Sequence, residues 1–326
     1  MQRNRVGGRW NVTAAALVTL AVAPGCQVLQ AVNPDDPARP GNVVRLERNG
    51  VVLSYRPDID RVIFFGASGG PNMLHTVGLD RRPAHDESYT FYGGCYSWVA
   101  PQRGEWGWRA ADGTASDWPP DPAMDRGPME VVKRSHDSLT ARSPIMRNGL
   151  REYVTFTMVG SNLVEVVREL ENVGEQPTQA SIWSITAVEP GATVALRQDA
   201  VGHLWSEASH EAEAFRSLLT PDDEHFRFST AAATNRDGVK VYFDAEAYLA
   251  VHKQGWWFVR DGLSRDHGSL KEVGEAPIAL YLHPELEIFE AELYGPLREI
   301  APGERLDYTE YWLLQASYPP DCAVLP

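Results

Sequence analysis

From residue 43 onward the chain is written in short runs of alternating side chains, each cut off by glycine, proline or asparagine. That rhythm constrains the fold more than any other feature. Residues 43–47 and 51–55 flank Asn49-Gly50, a pair suited to the left-handed backbone of a two-residue hairpin turn. Residues 61–65 read as the next strand. Gly66 to Asn72 reads as a turn, because it lacks the Lys-Ser/Thr ending of a phosphate loop. Further strands are expected at 129–133, 138–142, 151–158, 163–171, 178–188, 192–197, 226–229, 239–243, 248–252, 256–260, 278–283, 286–294 and 305–314. In 151–158, Val154, Phe156 and Met158 fall on one face and Tyr153, Thr155 and Thr157 on the other. One weakly amphipathic helix is expected at 203–219. There is no alternation of strands with helices and no repeat of fixed period. The pattern predicts an all-β, antiparallel sandwich or barrel in one domain from residue 43 to 326.

The N-terminus is expected to lie outside that domain. Arg3, Arg5 and Arg9 precede an apolar stretch at 12–23, which is short for a membrane span. Ala23-Pro24-Gly25-Cys26 follows, and the layout is that of a secretory signal. A small residue before Cys26 resembles a bacterial lipoprotein signal, which implies lipidation of Cys26. Residues 1–25 are then the signal and the proline- and aspartate-bearing stretch 26–42 a tether. The expected location is exported and membrane-anchored, facing the periplasm or the cell surface. Cys95 and Cys322 remain for a disulfide, but spacing cannot show that their Cα atoms are close enough. A formal net charge of −14 over 326 residues repels phosphates and makes nucleic acid an improbable partner. The absence of any C-x-x-C pair excludes a zinc ribbon, and no cofactor is expected. Asp222-Asp223-Glu224-His225 lacks the spacing of a calcium loop and reads as a solvated turn rather than a metal site.

Residues 92–121 hold Trp98, Trp106, Trp108 and Trp118 among paired glycines, prolines and carboxylates. Read as a long loop, these rings either pin the segment to the core or stack on the apolar faces of a sugar. Trp98, Gln102 and Trp118 are the expected sugar contacts. On the strand at 286–294, Glu290 and Glu292 share one face, about 7 Å apart by strand rise. They are either an acid/base pair or the wet face of a strand. His75 and His203 are further acid/base candidates, because imidazole titrates near neutrality. No serine-hydrolase constellation is present.

The run Phe289-Glu290-Ala291-Glu292-Leu293-Tyr294-Gly295-Pro296, the turn Pro302-Gly303-Glu304 and the strand Tyr308 to Trp312 resemble the closing strands of galactose mutarotase-like proteins. Leu170 to Gly174 and Ala180 to Thr186 resemble their middle strands. Gly93-Gly94, Trp98, Pro101 and Gln102 resemble a signature of an uncharacterised branch. The resemblance implies a β-supersandwich with a carbohydrate ligand on its concave sheet. In aldose 1-epimerases of this fold a glutamate takes the anomeric proton and a histidine protonates the ring oxygen. Glu292 matches that glutamate, with Glu290 one register away. The N-H-x-Y-F motif of the histidine is absent, and its approximate place holds Trp183, a further expected sugar contact. The function expected is carbohydrate binding in the cell envelope. The alternative is a sugar-acting enzyme, epimerase-like or part of a glycan-degrading system.

Overall fold

The computed structural model describes residues 43–80, 89–198, 200, 204–206, 209–221, 225–230, 238–263, 270–283 and 287–317. Cys26, His203 and Cys322, together with the signal, the tether and Asp222 to Glu224, lie outside them. Among the described residues there are two antiparallel sheets of ten strands each and two short α-helices.

The chain begins with β1 (Val44–Arg48), β2 (Val51–Arg56), β3 (Arg61–Ala67) and β4 (Cys95–Ala100). Helix α1 (Pro122–Asp125) leads into β5 (Glu130–Arg134), β6 (Ser138–Arg142), β7 (Leu150–Met158) and β8 (Leu163–Asn172). Next come β9 (Thr178–Ala187), β10 (Thr193–Arg197), β11 (Leu204–Ser206), helix α2 (Ser209–Arg216), β12 (Thr220–Pro221) and β13 (His225–Ser229). The last third holds β14 (Val239–Phe243), β15 (Tyr248–Lys253), β16 (Trp256–Gly262), β17 (Ile278–His283), β18 (Ile288–Tyr294), β19 (Arg298–Ile300) and β20 (Arg305–Gln315).

The first sheet runs β1-β2-β3-β4-β9-β18-β17-β14-β11, with β19 pairing β9. The second runs β12-β13-β10-β15-β16-β20-β8-β7-β6-β5. The expected hairpin joins β1 to β2, with Asn49 at φ 50° and Gly50 at φ 82°. Strand β7 buries Val154, Phe156 and Met158 and leaves the alternate residues half-buried, as its pattern requires.

Two expectations are corrected. Residues 92–121 are not one long loop: residues 95–100 form β4, which pairs with β9 along all six residues. A strand enclosed on both sides reads as a continuous apolar run rather than as alternation, and Cys-Tyr-Ser-Trp-Val-Ala does so. The helix is shorter than expected, because residues 204–206 pair with β14 as β11.

The alternation of β18 divides its side chains between two environments. Phe289, Ala291 and Leu293 pack between the sheets with Val194, Leu249 and Val251. On that same side Arg260 of β16 reaches across to donate to Ala291 O (3.0 Å), Thr186 Oγ1 (2.8 Å) and Ser184 Oγ (2.6 Å). Glu290, Glu292 and Tyr294 therefore point out of the sandwich. There they meet a second apolar layer that includes Tyr96, Trp98, Trp108, Trp183, Tyr242, Leu270 and Ala276.

Candidate functional site: the Glu292 face

Strand register sets the site. One row of directly paired residues crosses the first sheet as Tyr96, Ile185, Glu292, Ala279, Tyr242 and Trp205. The neighbouring row is Trp98, Trp183 and Tyr294. Side chains in adjacent rows of one face lie within reach of each other, so Glu292 sits among aromatic rings.

Glu292 is fully buried (0% exposed) and its Oε2 collects three partners. Trp183 Nε1 donates at 2.8 Å, Tyr294 OH donates at 3.1 Å, and the Lys240 ammonium lies at 2.7 Å. The Tyr294 hydroxyl accepts from Lys240 at 2.9 Å. Glu292 Oε1 has no hydrogen-bond partner among the described residues. Lys240 also lies 3.9 Å from the centroid of the Trp183 ring, a cation–π contact. The wet-strand reading of Glu290 and Glu292 is thus excluded, since both are buried.

Two more carboxyls belong to this face. Glu290 accepts from Tyr96 OH at 2.6 Å. Burial and then the Glu292 charge push its pKa up to about 7, against the pull of that hydrogen bond. Glu275 follows the short helical turn Leu270–Val273 and is 7% exposed. Burial pushes it up to about 7 as well; Lys240 pulls down, Glu292 pushes up, and the nearby Tyr294 hydroxyl and the Gln102 backbone pull down. Glu275 Oε2 has no partner among the described residues.

The rings form a graded wall. Trp183 stacks on Tyr294 at 5.3 Å and 14°. Trp98 stands edge-on to Trp183 at 5.1 Å and gives its N–H to Asp125 Oδ1 at 3.1 Å. Trp108 gives its N–H to Val99 O at 2.7 Å. Trp118 lies at the rim, 51% exposed, with its ring 4.6 Å from Tyr89 and 6.3 Å from Trp98. On the far flank Trp205 stacks on Tyr242 at 4.3 Å and 15°. Lys240 keeps 20% of its side-chain exposure, so the face opens to solvent on the β14 side.

Of the residues singled out in the sequence, Glu292, Glu290, Trp183 and Trp98 come together on this face. Gln102 turns its side-chain amide to Asp117 O at 2.6 Å and presents only its backbone N–H to Glu275. His75 stands at the other end of β9, its backbone N–H donating to Ala187 O at 3.0 Å. Burial lowers the His75 pKa, with Glu189 opposing and Lys253 assisting. Sequence reasoning passed over Lys240, Tyr242, Tyr294 and Glu275. The alternation of Val239-Lys240-Val241-Tyr242-Phe243 carried a signal for the first two, because it sets a lysine and a tyrosine on the face opposite three apolar residues. Glu275 lies in a connection and carried none. A separate groove of about 680 Å³, lined by Arg298, Glu299, Arg305 and Tyr308 among others, includes none of Glu275, Glu290 and Glu292. No group of three or more metal-ligating side chains occurs among the described residues.

Residues 42–315 match the family described as a domain of unknown function, DUF4380. The chain belongs to that family. No curated protein matches it. Among solved structures it is similar to a galactose mutarotase-like protein from Clostridium acetobutylicum, at 11% identity and TM-score 0.53, over 85% of this chain and 96% of that one. A galactose mutarotase-like protein from Lactobacillus casei matches at 7% identity and TM-score 0.51, over 84% and 100%. A TPR-domain containing protein from Parabacteroides distasonis matches at 14% identity and TM-score 0.53, over 88% of this chain and 49% of its own. This DUF4380 chain has the mutarotase-like fold.

Proposed function

We propose that this protein binds carbohydrate on the Glu292 face, with Glu292 accepting a sugar hydroxyl and Trp183 fixing the carboxylate that accepts it. One observation carries the reading: a buried carboxylate, clamped on one oxygen by Trp183, Tyr294 and Lys240, keeps its second oxygen unpartnered among aromatic rings. A fully buried acceptor without a donor is costly, and a hydroxyl would satisfy it. The likeness to galactose mutarotase-like proteins supports the same ligand class. Titration calorimetry of the protein with a panel of monosaccharides tests it. Glu292→Gln, nearly isosteric, is expected to weaken binding about tenfold to a hundredfold, the worth of one charge-assisted hydrogen bond. Glu290→Gln is the register control. Binding of no sugar at all, or full affinity in Glu292→Gln, overturns the reading.

A second reading, a sugar-acting enzyme, is favoured by Glu275 and Glu290, whose carboxyls titrate near 7 beside the Lys240-paired Glu292. Groups poised at that pH suit proton transfer. Polarimetry on any sugar that binds separates the two: a change in the rate of anomer interconversion marks an enzyme, and a rate equal to buffer marks a binding protein. The export reading rests on the basic N-terminus, the apolar stretch and Cys26. It predicts labelled-palmitate incorporation that Cys26→Ala abolishes.

A further inference from the structure

The charges on the Glu292 face do not balance. Glu275, Glu290 and Glu292 gather around one ammonium, that of Lys240. The next cation, Arg61 over the Tyr96 ring, is already paired with Asp125 at 2.7 Å. Glu275 and Glu292 are neighbours on this face: the Tyr294 hydroxyl gives its one proton to Glu292 Oε2 at 3.1 Å, and Tyr294, Lys240 and the Glu292 charge all act on the Glu275 carboxyl. Each keeps one oxygen without a partner among the described residues. The walls already tolerate a cation: Lys240 lies 3.9 Å from the Trp183 centroid, 5.5 Å from that of Tyr242 and 5.6 Å from that of Tyr294.

We propose that the sugar bound here is a protonated amino sugar whose ammonium sits between the free oxygens of Glu292 and Glu275, an inference that rests on the carbohydrate reading above. An ammonium supplies the donors that both oxygens lack and offsets the surplus of carboxyls. A sugar acid adds charge of the wrong sign to a buried acidic site. A neutral hexose satisfies hydrogen bonds but leaves the surplus in place.

The pH dependence has a definite sign. Glu275 and Glu290 titrate at about 7; Glu275 faces Lys240, Glu292 and Tyr294, and Glu290 faces Glu292, Tyr96, Lys240, Arg61, Tyr89 and Tyr281. A cationic ligand prefers them ionised, so its affinity rises from pH 5.5 to 7, a window in which the amino group stays largely protonated. A neutral sugar has no such slope.

Calorimetry of the full chain with glucosamine, glucose, N-acetylglucosamine and glucuronate tests the class. Glucosamine is expected to bind tighter than glucose at pH 7 by about tenfold, the worth of one charge-assisted hydrogen bond. That advantage shrinks at pH 5.5 and in Glu275→Gln, with Glu275→Ala as the second variant if the first does not fold. Equal or tighter binding of glucose, N-acetylglucosamine or glucuronate overturns the amino-sugar inference and leaves the carbohydrate reading standing. So does a glucosamine affinity that is flat in pH. Binding of none of the four, nor of any other sugar in the panel, overturns both.

Discussion

Two of the places where the described residues bury charge, Glu310 and Glu292, are built on opposite rules. Between the sheets, Arg260 spends its donors on Glu310 Oε2 (3.0 and 2.7 Å), Thr186, Ser184 and Ala291 O. Burial pushes Glu310 up, yet Arg260 and Arg168 outweigh it and hold its pKa below the usual carboxylate value. On the Glu292 face, three carboxyls share one lysine, and two of them are driven to about 7. An unpartnered oxygen is common to both regions, at Glu310 Oε1 and at Glu292 Oε1. The local charge around each carboxylate is what separates them: two arginines act on Glu310, whereas Glu292 shares one lysine with two other carboxyls. Cations matched to a carboxylate inside a sandwich help fix how two sheets sit, whereas the carboxyl surplus on a sheet face open at one flank is what supports the binding role proposed above.

The largest effect comes from breaking the matched region. Arg260→Met removes a guanidinium that is 1% exposed and leaves Glu310 buried beside a single remaining cation, Arg168. The expected loss is about 3–5 kcal/mol, the cost of stranding one partner of a buried pair. Urea denaturation measures it. A loss below about 1 kcal/mol, typical of exposed pairs, would erase the distinction drawn between the regions.

The next effect sharpens the surplus region through pH. A carboxyl whose folded pKa lies above its unfolded value of 4.5 binds protons more tightly in the folded state. Its contribution to stability is full below pH 4.5, declines as pH rises, and is gone above about 7. For Glu290 that amounts to something on the order of 3 kcal/mol across the window. Glu290→Gln is expected to flatten the fall in urea midpoint between pH 5 and 7. Glu152, buried between the sheets and pushed up to about 8 by burial and then by Asp60, adds a decline of the same sign. An unchanged slope in Glu290→Gln would show that its carboxyl is not neutral in the folded protein.

The outer architecture was largely legible in the sequence, and so was the pair at its centre. Strands such as β6, β14 and β17 start and stop where turn residues punctuate alternating runs. The single-faced placement of Glu290 and Glu292 followed from the two-residue period. Their burial did not follow, because a strand's own pattern cannot reveal what covers its polar face. Here Glu290 meets Tyr96 and Glu292 meets Trp183 and Lys240, all far away in the chain. Strand β4 was hidden for the same reason: tertiary enclosure removes the alternation that marks a strand. Lys240 joins Glu292 only through the order β18-β17-β14, which is a property of topology rather than of local sequence.

The smallest expected effect distinguishes wall from rim within a single tryptophan-rich stretch. Trp98 is 5% exposed and has its N–H engaged by Asp125, so truncating it would empty a packed volume. Trp118 is 51% exposed and rests on Tyr89 and on the edge of Trp98. Removing an exposed ring costs the fold little, so Trp118→Ala is expected to shift unfolding by less than about 1 kcal/mol. If Trp118 also stacks on the far end of a bound glycan, the same variant weakens binding of an oligosaccharide while leaving a monosaccharide on Glu292 untouched. Comparing mono- and oligosaccharide affinities of Trp118→Ala by calorimetry decides the matter. Equal losses for both would draw the ring into the inner site, and no loss for either would make it a surface residue that caps Tyr89.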